Sequence, residues 1–204
     1  MTVDGETVGR AGKRSGTGHL TPAGARILQT ASRLFYEQGI RAIGVEAIAE
    51  EAGVTKKTLY DRFGSKDDLI VAYLRARDEL WRSTLVEYVD THDGSAGQKL
   101  LATFDALREW MCERNPRGCA FVNAYVELPD DHPGQGVARD QKAWLLTYFA
   151  KLAREAHAED PELLASQLLI LHEGACIANS MKSMDEAARR ARDMAEILLA
   201  KSLV

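Results

Sequence analysis

The sequence predicts an all-α protein of about nine helices. Apolar residues recur every three or four positions along most of the 204-residue chain, which is the spacing of helices with one buried face. A hydroxyl or carboxylate residue followed by proline, at Thr21-Pro22 and Asp160-Pro161, marks a helix start, and no run alternates long enough to predict a strand. The length and the 46% hydrophobic content allow one or two packed domains.

The chain divides into an arm, a mildly basic head and an acidic body. Residues 1–19 are rich in Gly, Ser, Thr and charge, so we expect a disordered arm whose Arg10, Lys13 and Arg14 either follow a nucleic-acid backbone or only contact solvent. Residues 1–64 hold nine Lys and Arg against seven Asp and Glu, although the whole chain has a net charge of -4. Only the head is therefore expected to meet a polyanion.

Three short helices are predicted in the head, residues 20–65. The first begins at the Thr21-Pro22 pair, and two more are separated by a turn that contains Gly53. Ala49 is small enough to let another helix approach closely, and Gly53 can adopt the positive φ that such a turn needs. The combination is typical of a helix-turn-helix.

The body, residues 66–204, is predicted to be helical throughout. Ser65, with Asp68 three residues later, starts a long helix that connects the head to the body. The run Leu163–Ala178 is apolar on nearly all sides, so it needs cover from its own domain and from something else, such as a second copy of the chain. Glu186–Leu203 is the last predicted helix.

Three segments together resemble the tetracycline-repressor (TetR) family of bacterial transcriptional regulators. They are ILQTASRLFYEQG in the first helix, VEAIAEEAGV in the second helix and turn, and TKKTLYDRFGSKDDL from the third helix into the fourth. The resemblance implies a DNA-binding head, a body that binds a ligand, and a dimer in which the last two helices pair across a twofold axis. In one departure, Ile43 and Gly44 stand where the family often has Ser or Thr; Gly44 can still cap the second helix.

The third helix is expected to enter the major groove of DNA. Leu59 and Phe63 point inward and leave a polar face, on which Lys57 is the first candidate for a base contact, with guanine as the expected base. Asp61 either accepts a hydrogen bond from cytosine or points away from DNA, and we favour the second. The alternative is an exposed helix whose charges meet only solvent. The predicted DNA-binding residues are Thr55, Lys56, Lys57, Thr58, Tyr60, Arg62 and Lys66.

Among these residues, the resemblance assigns phosphate contacts to Tyr60 and Lys66, and Arg62 is a further phosphate candidate. A dimer presents two heads. We therefore expect a pseudo-palindromic operator with half-sites about 34–36 Å apart, or more if dimers bind in pairs.

The central helices of the body are expected to form an effector pocket. Asn123, His172 and Glu173 are polar residues in otherwise apolar helices, where each needs a partner or a purpose. We expect a small apolar or aromatic effector, and we expect the fourth helix to carry its signal to the head. The predicted pocket residues are Trp81, Phe104, Trp110, Met111, Phe121, Asn123, Tyr125, Trp144, Tyr148, His172, Glu173 and Cys176.

The three cysteines are odd in number and far apart, so we expect reduced thiols. His172 and Cys176 are four residues apart and could share a metal ion with Cys119, but a core histidine beside a buried thiol is the more ordinary arrangement. We therefore expect no metal and no cofactor. An alternative function is redox or electrophile sensing through Cys119 or Cys112, near arginines that could activate a thiol.

Other classes of protein lack support in the sequence. We find no signal peptide and no run of about 18 apolar residues, so we expect a cytoplasmic protein. The motifs of hydrolases, nucleotide-binding enzymes and zinc proteases are absent, which argues against an enzyme. A helical binding protein without DNA affinity is the remaining alternative.

Overall fold

The computed structural model describes residues 20–115 and 117–203, and within them the all-α prediction is confirmed. The predicted arm, residues 1–19, lies outside the described residues. The helices are α1 (Pro22–Gln38), α2 (Val45–Glu51), α3 (Lys56–Phe63), α4 (Lys66–Thr91), α5 (Ala96–Arg114), α6 (Ala120–Glu127), α7 (Pro133–Glu155), α8 (Pro161–Ser180) and α9 (Ala187–Ser202).

Helices α1 to α3 pack around a small core of their own. Ile27, Ile48 and Leu59, one from each helix, are completely buried. Gly39 ends α1 with φ +92°, and Gly53 has φ +64° in the turn between α2 and α3, so both use backbone conformations that favour glycine. The structure thus confirms the predicted helix-turn-helix and the turn position of Gly53.

Helix α4 runs from this head into the body. At its start, the Ser65 hydroxyl accepts a hydrogen bond from the Asp68 backbone N–H at 2.9 Å and donates one to the Asp68 carboxylate at 2.6 Å. With 26 residues, α4 is about 39 Å long. Its buried Tyr73 contacts Phe35 of α1, whereas its buried Trp81 contacts Trp110 of α5. One rigid element therefore spans both parts.

The body is a bundle of α5 to α9 packed on α4. Helix α8 packs against both α7 and α9, and α5 packs against α4, α7 and α9. Phe104 of α5 stacks on Phe149 of α7 in the centre, with 6.1 Å between ring centroids, and Leu168 of α8 is completely buried nearby in the same core.

One face of α8 remains apolar and exposed. Leu163, Ile170, Ile177 and Met181 follow one another at intervals of seven, seven and four residues, and Ile170 is 71% exposed. On α9, Met194 and Ile197 are also about half exposed, at 48% each. The second covering that the sequence predicted for α8 is therefore absent within the described chain.

Candidate functional site

The polar face of α3 is the candidate DNA-binding surface. Thr55 caps the helix by accepting a hydrogen bond from the Thr58 backbone N–H at 3.1 Å, and its hydroxyl lies 2.9 Å from that of Thr58. Leu59 is buried in the head, and Phe63 packs partly buried against the same core. Opposite them, Lys57, Tyr60 and the other polar residues of α3 are exposed or half-buried.

The cations of this surface differ in how they are held. Lys56 pairs with Glu46 of α2 and lies 5.9 Å from the centre of the Tyr60 ring, and its hydrogen bond to Glu46 raises the pKa of the Lys56 ammonium. Lys57 and Arg62 are exposed and form no ion pair within residues 20–115 and 117–203. Lys57 therefore has the freer side chain of the two lysines.

Lys66 lies at the joint between head and body. It is half-buried, and its ammonium donates a hydrogen bond to the Ile40 carbonyl at 2.9 Å while it lies 5.9 Å from the centre of the Phe35 ring. The ammonium keeps two further protons that a DNA phosphate could accept. The phosphate contact of Lys66 stays a prediction.

A second joint connects α1 with the segment that precedes α6. The Tyr36 hydroxyl donates to the Gly118 carbonyl at 3.0 Å and accepts from the Arg117 backbone N–H at 2.9 Å. Burial raises the pKa of Tyr36, which keeps the proton that the first bond needs. The Arg77 guanidinium of α4 lies 4.2 Å from the centre of the Tyr36 ring and donates to the Arg114 carbonyl at 2.8 Å. Tyr36 thus holds α1 against α4 and against Arg117 and Gly118.

An inner cavity lies in the body beside this joint. Its volume is about 20 Å³, which is room for about one water molecule. Its apolar wall consists of Trp81, Leu107, Trp110, Ala120 and Phe121. Its polar wall consists of Arg77, Asn115, Gln141, Lys142 and His172, together with the thiols of Cys119 and Cys176.

A half-buried ion pair lies at the polar wall. The Lys142 ammonium lies 2.8 Å from Glu173, and 26% of each side chain is exposed. Burial would raise the pKa of Glu173, but hydrogen bonds from His172 and Lys142 and the charge of Lys142 lower it to about 2. Burial would also lower the pKa of Lys142, but Cys119 and Glu173 outweigh that effect and raise it. Both groups are therefore charged at neutral pH.

Two buried acceptors at the same wall lack a donor. Burial lowers the pKa of His172, so this imidazole is neutral near pH 7. Its Nδ1 lies 3.2 Å from the Glu173 carboxylate, which can only accept, so Nδ1 carries the proton and Nε2 presents a lone pair. Neither His172 Nε2 nor Gln141 Oε1 has a hydrogen-bond partner in the described part of the chain.

A larger groove lies between α1 and α6. Its volume is about 370 Å³, and its walls include Phe35, Tyr36, Tyr73, Ala120 and Glu127. Ala120 therefore lies between the inner cavity and this α1–α6 groove. The first turn of α6 separates a nearly filled space from an open one.

The predicted pocket residues fall into three groups. Five of them line the inner cavity, namely Trp81, Trp110, Phe121, His172 and Cys176. Glu173 pairs with Lys142 at its edge, and Phe104 and Met111 are buried in the surrounding core. The other four lie elsewhere: Asn123 lines the α1–α6 groove, Tyr125 is 43% exposed, and Trp144 stacks on Tyr148 outside the cavity.

Sequence reasoning missed Arg77, Asn115, Gln141 and Lys142 as cavity residues. Gln141 and Lys142 belong to the polar stretch RDQKAW, which has the composition of an exposed helix face. Their position just before the apolar Trp144 and Leu145 does indicate that they lie near the buried face of this helix.

The three cysteines lie in different surroundings. Cys112 is exposed, whereas Cys119 and Cys176 are buried, and all three are free. The cation beside Cys119 is Lys142, whose Nζ lies 3.5 Å from Sγ. Burial raises the pKa of the Cys176 thiol.

The described residues contain neither a metal cluster nor a helix that could cross a membrane. No group of three or more His, Cys, Asp or Glu side chains there is arranged to hold a metal ion. In the same residues, no helix has the length and apolar character needed to cross a membrane.

Comparison with known proteins agrees with this geometry. The family model for bacterial regulatory proteins of the tetR family matches residues 27–73, which include α2 and α3. The HTH-type transcriptional regulator YjdC of Escherichia coli K12 is 30% identical over 179 residues, which cover 82% of this chain and 91% of YjdC. The HTH-type transcriptional repressor NemR of E. coli K12 is 25% identical over 136 residues, or 64% of this chain and 68% of NemR.

Solved structures share the whole architecture. The crystal structure of SCO4454, a TetR-family transcriptional regulator from Streptomyces coelicolor, matches with a TM-score of 0.81 and 30% identity. The match covers 88% of this chain and 95% of SCO4454, so it includes the body as well as the head.

Proposed function

Since this chain belongs to the TetR family of bacterial transcriptional regulators, we propose that it is a dimeric cytoplasmic repressor, released from its operator by a small apolar or aromatic effector. The family assignment makes the chain a DNA-binding regulator of transcription and not an enzyme. NemR, to which the chain is similar, is a transcriptional repressor, and this supports the choice of a repressor.

The observation that carries the DNA-binding mode is the polar face of α3. Its capped amino-terminal end presents Thr55 and Lys57 at the point where a recognition helix meets base edges. Lys57 reads a base, while Tyr60, Arg62 and Lys66 hold phosphates. Asp61 is exposed on the same helix and points away from the bases.

A titration against selected operator DNA and a scrambled duplex, at one salt concentration, tests this mode. Lys57→Ala is expected to reduce the preference for the operator by about 1–3 kcal/mol, because one base contact is lost. Lys151→Ala removes the same charge from the exposed surface of α7 and serves as the control. Equal affinity of the unaltered protein for both duplexes would refute DNA recognition by α3.

The exposed apolar face of α8 supports the dimer. A second copy would cover Leu163, Ile170, Ile177 and Met181, and Gly174 on the same face has no side chain to hold the two helices apart. The dimer would present two α3 helices to half-sites about 34–36 Å apart.

Sedimentation of two charge variants tests that interface. Ile170→Asp is expected to give monomers that bind the operator weakly, because a carboxylate would be buried in the apolar contact. Val126→Asp places the same charge on α6, where Val126 is 77% exposed, and should leave the dimer intact. A dimer that survives Ile170→Asp would exclude this face.

The inner cavity is the proposed effector site, and two elements connect it to the head. Arg77 and Trp81 belong to α4, which continues to the head. Asn115 and residues 119–121 form another wall, and the neighbouring Arg117 and Gly118 bond to Tyr36 of α1. An effector would push the first turn of α6 into the α1–α6 groove and against α1, so that the two heads lose their register with the DNA grooves.

Tyr36→Phe tests the second connection without any effector. It removes both hydroxyl hydrogen bonds but keeps the ring, and we expect a three- to tenfold change in operator affinity, corresponding to about 1 kcal/mol. Tyr88→Phe is the control, because the Tyr88 hydroxyl bonds only to Glu109 on the surface of the body. Identical operator affinities for Tyr36→Phe and the unaltered protein would contradict coupling through this joint.

A second candidate function is sensing of electrophiles by Cys119. The observation that favours it is the Lys142 ammonium 3.5 Å from Sγ, since reactive cysteines lie in electropositive surroundings. An electrophile would form a bond to sulfur, and the thiol proton would leave to solvent. Cys119→Ser should abolish release from the operator by such reagents, with Cys112→Ser as the control for the exposed thiol; unchanged release in Cys119→Ser would exclude it.

A further inference from the structure

We propose that the inner cavity selects a compact aromatic ring that carries a hydrogen-bond donor, such as a phenol, and discriminates against a ring that carries a carboxylate. This inference rests on the proposed function, because it takes the inner cavity to be the effector site. It goes beyond that function because the polar atoms of the cavity wall indicate the chemical class of the effector.

The first argument is the demand for donors. His172 and Gln141 are 4% and 2% exposed, both line the cavity, and each has a buried acceptor atom without a donor in the described residues. Leaving a buried acceptor unpaired is costly, so a molecule that supplies a donor recovers free energy that an apolar molecule does not. Glu173 enforces this pattern, because its carboxylate accepts the Nδ1 proton of His172 and leaves Nε2 as an acceptor.

The second argument is the shape of the remaining wall. Trp81 and Trp110 contact each other with 5.1 Å between ring centroids, and Trp81 lies 6.1 Å from the His172 ring. Phe121 and Leu107 complete an apolar lining. Flat aromatic walls suit a flat aromatic ligand, and the acceptor of His172 fixes its orientation.

The third argument concerns charge. The Lys142 ammonium is engaged by both oxygens of Glu173 at 2.8 Å. Arg77 is bound to the Arg114 carbonyl and Asn115 and lies against Tyr36. A carboxylate that reached His172 would lie beside the charged Glu173 and face an acceptor, so it would meet repulsion where a hydroxyl finds a partner.

The cavity is too small for the proposed ligand, so the structure represents the conformation without effector. About 20 Å³ admits one water molecule and no ring. The wall with space behind it is the first turn of α6, since the α1–α6 groove of about 370 Å³ lies on its other side. The competitor of the ligand is therefore a single buried water, and a phenol hydroxyl, which has one proton to donate, would replace it at His172 Nε2.

The test compares phenol, anisole and benzoate as probes, titrated by calorimetry into the full chain without DNA. We expect phenol to bind about tenfold more tightly than anisole or benzoate, since anisole keeps the ring and oxygen but lacks the donor. His172→Phe should lower phenol affinity to the level of anisole and leave anisole unchanged, because it removes the acceptor at Nε2 and keeps an aromatic ring. Trp144→Phe, outside the cavity, should change neither affinity.

Several outcomes would overturn the inference. It fails if anisole or benzoate binds as tightly as phenol, if none of the three probes binds, or if His172→Phe, checked for folding by its melting temperature, binds phenol as the unaltered protein does. Operator titrations with and without phenol distinguish failure of this inference from failure of the proposed function. If phenol binds selectively but leaves operator affinity unchanged, the cavity is not the effector site, although its preference for donor-bearing rings stands.

Discussion

Replacing Glu173 by Gln removes one charge from the centre of the body and keeps nearly the same shape. The amide oxygen of the new side chain could still accept the Nδ1 proton of His172, so the change removes the charge that His172 and Lys142 stabilise and keeps the shape of the contact. The pKa of Glu173 falls from 4.5 to about 2 in the folded chain, which corresponds to about 3 kcal/mol of stability at pH 7. With 26% of each side chain exposed, solvent screens part of this, and we expect a loss of about 2–3 kcal/mol.

The sign of the pH dependence follows from the lowered pKa. Stability from the carboxylate is fully present above pH 4.5 and is lost as the pH falls toward 2, because the folded state then has to bind the proton it disfavours. The difference between the unaltered protein and Glu173→Gln should therefore be constant from pH 7 to about 5.5 and fall to less than half near pH 3.

Urea unfolding at one fixed protein concentration measures the difference, since dimerisation also contributes to stability. A loss of 2–3 kcal/mol should lower the melting temperature by about 4–12 °C in a chain of this size. Glu155→Gln is the matched control, because Glu155 is 50% exposed and pairs loosely with Lys151 at 3.8 Å. This change should lower the free energy of unfolding by less than about 0.5 kcal/mol. A Glu173→Gln protein as stable as that control at pH 7 would show that the ion pair does not stabilise the body.

Three further changes test the fold. Leu59→Ala should destabilise the head by about 2–5 kcal/mol and abolish operator binding, measured by thermal unfolding and titration, because Leu59 is completely buried. Gly118→Ala should cost more than about 2 kcal/mol, because φ is +80° and the new Cβ would lie 2.6 Å from Ser180, whereas Gly136→Ala in open helix should be neutral or stabilising; equal urea midpoints would contradict this. His172→Gln should flatten the acid dependence of stability below pH 6.5, where the lowered pKa of His172 costs the folded state up to about 1.4 kcal/mol per pH unit, and an unchanged pH profile would argue against a neutral His172.

The head could be predicted because its signals are local. Thr21 caps α1 as expected, with its hydroxyl accepting from the Gly24 N–H at 3.2 Å, and Gly53 takes positive φ in the turn. Leu59 and Phe63 pack inward because their spacing matches one helical face. Caps, turns and faces depend on residues a few positions apart, so the sequence contains them directly.

The effector cavity could be predicted only in part. Aromatic residues such as Trp81 and Trp144 look alike in the sequence, yet Trp81 lines the cavity and Trp144 stacks on Tyr148 outside it. His172 was identified because a histidine in an apolar helix is conspicuous. Gln141 and Lys142 were not, because their polar neighbours conceal that α7 turns them toward α8.

By itself the sequence determined the all-α class, the helix-turn-helix and the family, because helix caps, turn glycines and apolar periodicity are written in short segments. Only the tertiary structure decided which polar residues are buried together. Lys142 and Glu173 are 31 positions apart, and Tyr36 and Gly118 are 82 positions apart, yet each pair forms a direct contact. Such contacts depend on how whole helices cross, and that geometry is set by the packing of the entire core.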